Sequence, residues 1–111
     1  MEEIVEKLAG FQKKYLRGLA HGLKPVVIVG QSGVSPSLVK SVNEALMVHE
    51  LIKIKFNEYK EKEQKKQLCE RIQNETGCET VGMIGHTAIF FRRHPDPEKR
   101  KISIPKRQPR S

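Results

Sequence analysis

With 111 residues, 37% of them hydrophobic, the chain is long enough for one domain with a modest core and too short for two. Against 13 Asp and Glu stand 21 Lys and Arg, a net charge of +8 that favours a polyanionic partner. No stretch reaches the roughly eighteen apolar residues that a membrane span needs. The opening MEEIVEKLAG lacks the charged start and long apolar run of a secretory signal.

The charge is uneven. Residues 92 to 111 hold eight basic and two acidic residues, whereas residues 1 to 91 hold thirteen and eleven. The segment from Arg92 on also carries four of the six prolines, Pro95, Pro97, Pro105 and Pro109. Such a composition buries little apolar surface and predicts an extended or disordered tail. The expected organisation is therefore one domain over residues 1–92 and a basic, proline-rich tail over 93–111. Within the tail, Ile102 and Ile104 of KISIP give residues 101–105 the means to dock on the domain.

In chain order, Ile4, Leu8, Phe11, Tyr15 and Leu19 recur at steps of three or four and predict an amphipathic helix over residues 3–20. Lys13 and Arg17 fall roughly opposite that stripe, with Lys14 to one flank. Val26 to Val29 reads as a short buried strand. Ser35 suits an N-cap and Pro36 a first helical position, so a second helix should run from Pro36 to His49. Leu38, Val42, Ala45 and Leu46 supply its buried stripe.

LIKIKF, Leu51 to Phe56, alternates. Ile52, Ile54 and Phe56 face one way and Lys53 and Lys55 the other, as in a strand with one buried side and one wet, positive side. A third helix is expected over residues 59–76, ended by Gly77. CETVGMIG and HTAIFFRR then read as two strands joined near Gly85 and His86. The order α-β-α-β-α-β-β predicts an α/β fold with a four-stranded mixed sheet packed with helices.

Between the first strand and the second helix lies GQSG, Gly30 to Gly33. It is not a Walker loop, which needs G-x-x-x-x-G-K-[ST], nor the G-x-G-x-x-G of a dinucleotide site. Two glycines do leave backbone amides open to a phosphodiester. The following helix N-terminus adds about half a positive charge, and the hydroxyls of Ser32 and Ser35 add hydrogen bonds. Contacts of this kind position a strand without choosing its sequence. The same two glycines would also serve a plain tight turn between strand and helix.

Chemistry beyond binding finds little footing. Cys69, Cys78, His86 and His94 are separated by eight, seven and seven residues, unlike the short paired spacings of zinc sites. Two cysteines make no disulfide framework and read as reduced, partly buried thiols of a cytoplasmic protein. His21 and His49 lack an evident nucleophile or carboxylate partner, and the acidic residues are scattered, so no catalytic residue, metal or cofactor is expected.

LRGLAH (Leu16 to His21), LKPVV (Leu23 to Val27), GQSG, HELIKIK (His49 to Lys55), Gly85 and RKISIP (Arg100 to Pro105) together resemble the YhbY-type RNA-binding proteins. These are stand-alone members of the CRM domain family (chloroplast RNA splicing and ribosome maturation), and the likeness covers about Leu8 to Pro105. It implies a fold like the C-terminal domain of translation initiation factor three, two helices on a four-stranded sheet, with an added N-terminal helix. It also implies RNA binding through the G-x-x-G loop and nearby basic residues, as an accessory factor on the maturing large ribosomal subunit. The loop is similar to the one with which KH domains clamp backbone nucleotides, although KH domains set theirs between two helices. Gly22 departs from the family, in which a proline often follows AH.

The expected RNA-binding residues are Gly30, Gln31, Ser32, Gly33 and Ser35 in the loop, with Lys13, Lys14, Arg17, Lys24, Lys53 and Lys55 as side-chain contacts. The expected partner is structured RNA, large-subunit ribosomal RNA or its precursor, bound by a monomer. Few aromatic residues are present, which favours recognition by shape. Two rival readings are a DNA-binding architectural protein and a protein-docking module on ribosomal particles.

Overall fold

A computed structural model of the protein describes residues 7–59 and 61–106. The elements follow the expected order: α1 (Gly10–Ala20), β1 (Val27–Val29), α2 (Pro36–His49), β2 (Leu51–Phe56), α3 (Lys62–Thr76), β3 (Glu79–Ile84) and β4 (Thr87–Phe91). A single 3-10 turn, Pro97–Lys99, follows. The sheet runs β1-β2-β4-β3, with β1 parallel to β2 and the other pairs antiparallel. It is the mixed sheet expected from the sequence.

The strands begin within one residue of expectation, and two helices start later than expected. The first helix begins at Gly10, with residues 3–6 of the expected span lying outside the described ones. Ahead of it, the Leu8 N–H is held by both oxygens of the Glu79 carboxylate at 3.1 Å, and the Gln12 side chain accepts the Ala9 N–H at 2.8 Å. The third helix starts at Lys62 and not at residue 59, because Tyr59 is engaged with the loop described below.

Alternation on β2 sets the layers. Ile52, Ile54 and Phe56 point into a core with Val42 and Leu46 of α2 and Cys69 and Ile72 of α3. Each of these three β2 side chains contributes roughly 1.5–3 kcal/mol by burial. A one-residue slip would exchange them for Lys53 and Lys55, so the register is firmly set. Cys69 and Cys78 are free and buried in this core, where desolvation pushes the Cys69 thiol up to about 11 and raises that of Cys78.

The opposite face carries a second, smaller core of Leu51, Val81, Ile89 and Phe91, covered by Leu16 and Ala20 of α1 and by Ile104. Here the helix is rotated from the expected stripe. Phe11, Tyr15 and Leu19 are each 43% exposed, while Leu16 and Ala20 are fully buried and Lys13 is half-buried. Two polar ties set the rotation. Arg17 Nη1 donates to the Val81 carbonyl at 3.0 Å, and Gln12 Nε2 to that of Pro105 at 3.1 Å. The small Ala20 permits close approach to the sheet. Phe11, Tyr15 and Leu19 therefore form a flank.

The chain after β4 returns to the domain through Glu50. This residue caps α2 with φ +63°, and its side chain is buried. Its carboxylate accepts the N–H groups of His94 (2.8 Å), Lys101 (2.6 Å) and Ile102 (3.1 Å), and its main-chain carbonyl accepts that of Arg92 at 2.9 Å. Burial on its own raises the pKa of such a carboxyl, but the three donors and the nearby His94 ring outweigh it, and the group is held below its usual value. Ile104 then inserts beneath α1.

Candidate nucleic-acid interface

The GQSG loop leaves β1 at its C-terminal end and turns at once into α2. The Gly33 N–H donates to the Gly30 carbonyl at 3.1 Å, and the Ser35 N–H to the Gly33 carbonyl at 3.1 Å. Gly33 has φ +63°, a left-handed conformation that costs a residue with a Cβ about 1–2 kcal/mol. Gly30 lies outside that region, and a Cβ built on it meets no atom within 4 Å. The fold thus requires glycine at position 33 but leaves open space at position 30.

Gln31 and Ser32 at the loop centre are exposed. Ser35 Oγ accepts the Leu38 N–H at 3.2 Å, which caps α2 and leaves the hydroxyl proton free to donate outward. One contact ties the loop to the rest of the molecule: the Tyr59 hydroxyl donates to the Gln31 carbonyl at 3.0 Å. Beside the loop opens a cleft of about 390 Å³. Its walls are Val26 to Ile28, along the sheet-edge strand β1, and the N-cap Ser35 with the Ser37–Ser41 side of α2. Hydroxyls, free loop amides and the positive end of a helix converge on it, an arrangement suited to an anion with an extended backbone.

The expected site residues divide. Gly30, Gln31, Ser32, Gly33 and Ser35 all line the cleft. Lys13, Lys14 and Arg17 do not join them, because α1 covers the opposite face of the sheet from α2. Arg17 is folded onto β3, its stem 2.7 Å from where a Cβ on Gly82 would stand. Lys53 Nζ donates to the carbonyls of His21 (3.4 Å) and Leu23 (3.0 Å), closing the turn after α1. Lys24 and Lys55 are exposed, and Lys55 is the register partner of Ile28 in the cleft wall.

Sequence reasoning missed Ser37, Ser41 and Tyr59. Ser37 and Ser41, four apart just past an N-cap, share one helix side, a spacing readable in advance. Tyr59 had no such signal, since its partner is a main-chain atom 28 positions away.

Residues 8–92 match the model of the CRS1 / YhbY (CRM) domain. The chain belongs to this family. Its CRM domain is 36% identical over 96 residues to a Haemophilus influenzae protein named "RNA-binding protein", a match covering 86% of this chain and 93% of that one. A Bacillus subtilis protein whose name also refers to RNA binding is 34% identical over 98 residues, 88% of this chain and 99% of the relative. A Staphylococcus aureus protein solved in solution superposes with a TM-score of 0.74 at 30% identity, covering 87% of this chain and all of that one. The CRM fold is thus shared over nearly the whole chain. Among the described residues no helix is long and apolar enough to cross a membrane, and no three His, Cys, Asp or Glu gather in a group that would hold a metal ion.

Proposed function

We propose that this CRM domain binds RNA, and that it does so by seating backbone phosphate on the GQSG loop. Gly30 carries the reading. The fold makes no demand for glycine there, so the missing side chain serves whatever approaches from outside. The exposed Gln31 and Ser32, the Ser35 hydroxyl and the α2 N-terminus surround that open space. Each offers a proton or positive potential to an anionic oxygen, and none is aimed at a base edge. Relatives named for RNA binding, at 36% and 34% identity across most of their length, support the choice of polyanion.

The finer assignment is an accessory factor without catalytic activity, acting as a monomer in the cytoplasm on large-subunit ribosomal RNA or its precursor. The resemblance to stand-alone members of the family favours the ribosomal target, and the net charge of +8 favours a polyanion. Lys24 and Lys55, both exposed, add electrostatic attraction, and the basic residues from Arg92 on add to the net positive charge.

Replacing Gln31 and Ser32 together by aspartate tests this directly. Two carboxylates at the loop centre repel phosphate, so binding to structured ribosomal RNA should be lost while the thermal midpoint stays within a few degrees. A double variant that still associates with ribosomal particles would place recognition elsewhere and favour protein docking. A clear preference of the wild type for duplex DNA over structured RNA would favour the architectural reading.

A further inference from the structure

Lys65 on α3 is buried, an unusual place for an ammonium group. Its Nζ donates to the Gly85 carbonyl at 2.9 Å and lies 3.2 Å from His86 Nδ1. An ammonium carries donors only, so Nδ1 is the acceptor. With Nδ1 accepting from Lys65, the ring N–H lies on Nε2. Lys65 holds the inner edge of the ring and fixes this tautomer. His86 itself is exposed, so the ring is presented at the surface and contributes little to either core.

The position of His86 relative to GQSG follows from the sheet. The His86 carbonyl accepts the Phe56 N–H at 2.7 Å, and Phe56 is the register partner of Val29, the residue before Gly30. Neighbouring strands lie about 4.8 Å apart, which sets His86 roughly 10 Å from Val29, at the same end of the sheet. Lys65 reaches the ring from α3, which shares its sheet face with α2. A backbone seated on the glycine loop and continuing across the sheet end passes the β3–β4 turn.

We infer that His86 is a second RNA contact: its Nε2–H donates to a phosphate oxygen of the strand held by the glycine loop, with Lys65 as the positioning residue. The inference rests on the RNA reading of that loop. It has a distinctive signature. A lysine or arginine contact releases counterions and steepens the dependence of affinity on salt, whereas a neutral donor adds affinity without doing so.

The test uses the full chain and structured large-subunit ribosomal RNA as the probe. His86→Ala should weaken binding about threefold to tenfold, a loss equivalent to at most ~1.4 kcal/mol, with the slope of log affinity against log salt unchanged. His86→Gln, whose amide nitrogen reaches the Nε2 position, should recover most of the loss, and His86→Asn should not. Nitrogen-15 spectra of the free protein should show the Nε2–H tautomer. Wild-type affinity in His86→Ala, a slope shifted by about one, or the Nδ1–H tautomer would each overturn the inference. The Gln31→Asp, Ser32→Asp double variant is measured alongside. If it binds as wild type the loop reading fails, whereas if it fails to bind and His86→Ala binds normally, only the role of His86 is lost.

Discussion

The hydroxyl of Tyr59 donates to the main-chain carbonyl of Gln31 at 3.0 Å, linking the connection before α3 to the centre of the GQSG loop. A turn of two glycines around a glutamine and a serine has many conformations available. Binding through such a turn costs ordering entropy unless something holds it beforehand. Tyr59 supplies that hold without occupying the cleft. Tyr59→Phe keeps the ring and removes the bond, which costs the fold only about 0.5–1.5 kcal/mol. RNA affinity should fall by up to roughly tenfold, and amide exchange at Gln31 to Gly33 should quicken. Unchanged exchange in the variant would show that the loop is rigid without the tyrosine.

The two glycines should respond differently to alanine. At Gly33 a Cβ meets both a left-handed backbone and the Tyr59 hydroxyl oxygen 3.1 Å away. Gly33→Ala should lose about 1–2 kcal/mol of stability together with binding. At Gly30 the Cβ enters open space, so Gly30→Ala should unfold within about 0.5 kcal/mol of the wild type and lose affinity alone. Denaturant melts and RNA titrations on both proteins check this. A destabilised Gly30→Ala would mean that the first glycine also serves the turn.

Most of this arrangement was legible in the residues. The order of elements, the Ser35 cap, the buried face of Ile52, Ile54 and Phe56 and the place of GQSG between strand and helix all rest on local rules, and there the local rules held. The second face of LIKIKF, expected to be wet, is covered by α1 at Leu51. What was not legible depended on contacts between distant positions. The turn of α1 about its axis is set by Arg17 on Val81 and Gln12 on Pro105, not by its own apolar stripe. The charge of Lys53 marks it as a free cation until the carbonyls of His21 and Leu23 are seen around it. The Pro-rich composition after Arg92 hides the role of Glu50, which gathers main-chain donors from that segment.

Glu50 should make stability depend on acidity. Its carboxyl is held below its usual value in the folded chain by the N–H donors of His94, Lys101 and Ile102. The stabilisation is therefore complete above the unfolded value of about 4.3 and is lost as pH falls through the lower folded value. Glu50→Gln offers one oxygen where two served three donors, and should cost about 2 kcal/mol or more at neutral pH. The difference between the two proteins should shrink on acidification below about pH 4. Thermal midpoints from pH 7 to pH 3 provide the measurement, and a constant difference across that range would show that the charge is not what matters.

Lys53 and Lys55 sit two apart on one face of β2, yet they should report different things. Lys53 spends its hydrogen bonds on two main-chain carbonyls at the end of α1. Lys55 is exposed on the sheet face opposite α2, next to Ile28 of the edge strand, so its charge remains available to an anion. Each phosphate that a lysine neutralises steepens the salt dependence of binding by about 0.7 to 0.9 in log–log slope. Lys55→Gln should therefore flatten the slope by nearly one unit with an unchanged melting temperature. Lys53→Gln should lower the melting temperature and leave the slope alone, because the lost donor closed a turn and never met the RNA. If both variants flattened the slope equally, the whole wet face of β2 would lie under RNA, and the interface would extend from the cleft across the sheet toward α1.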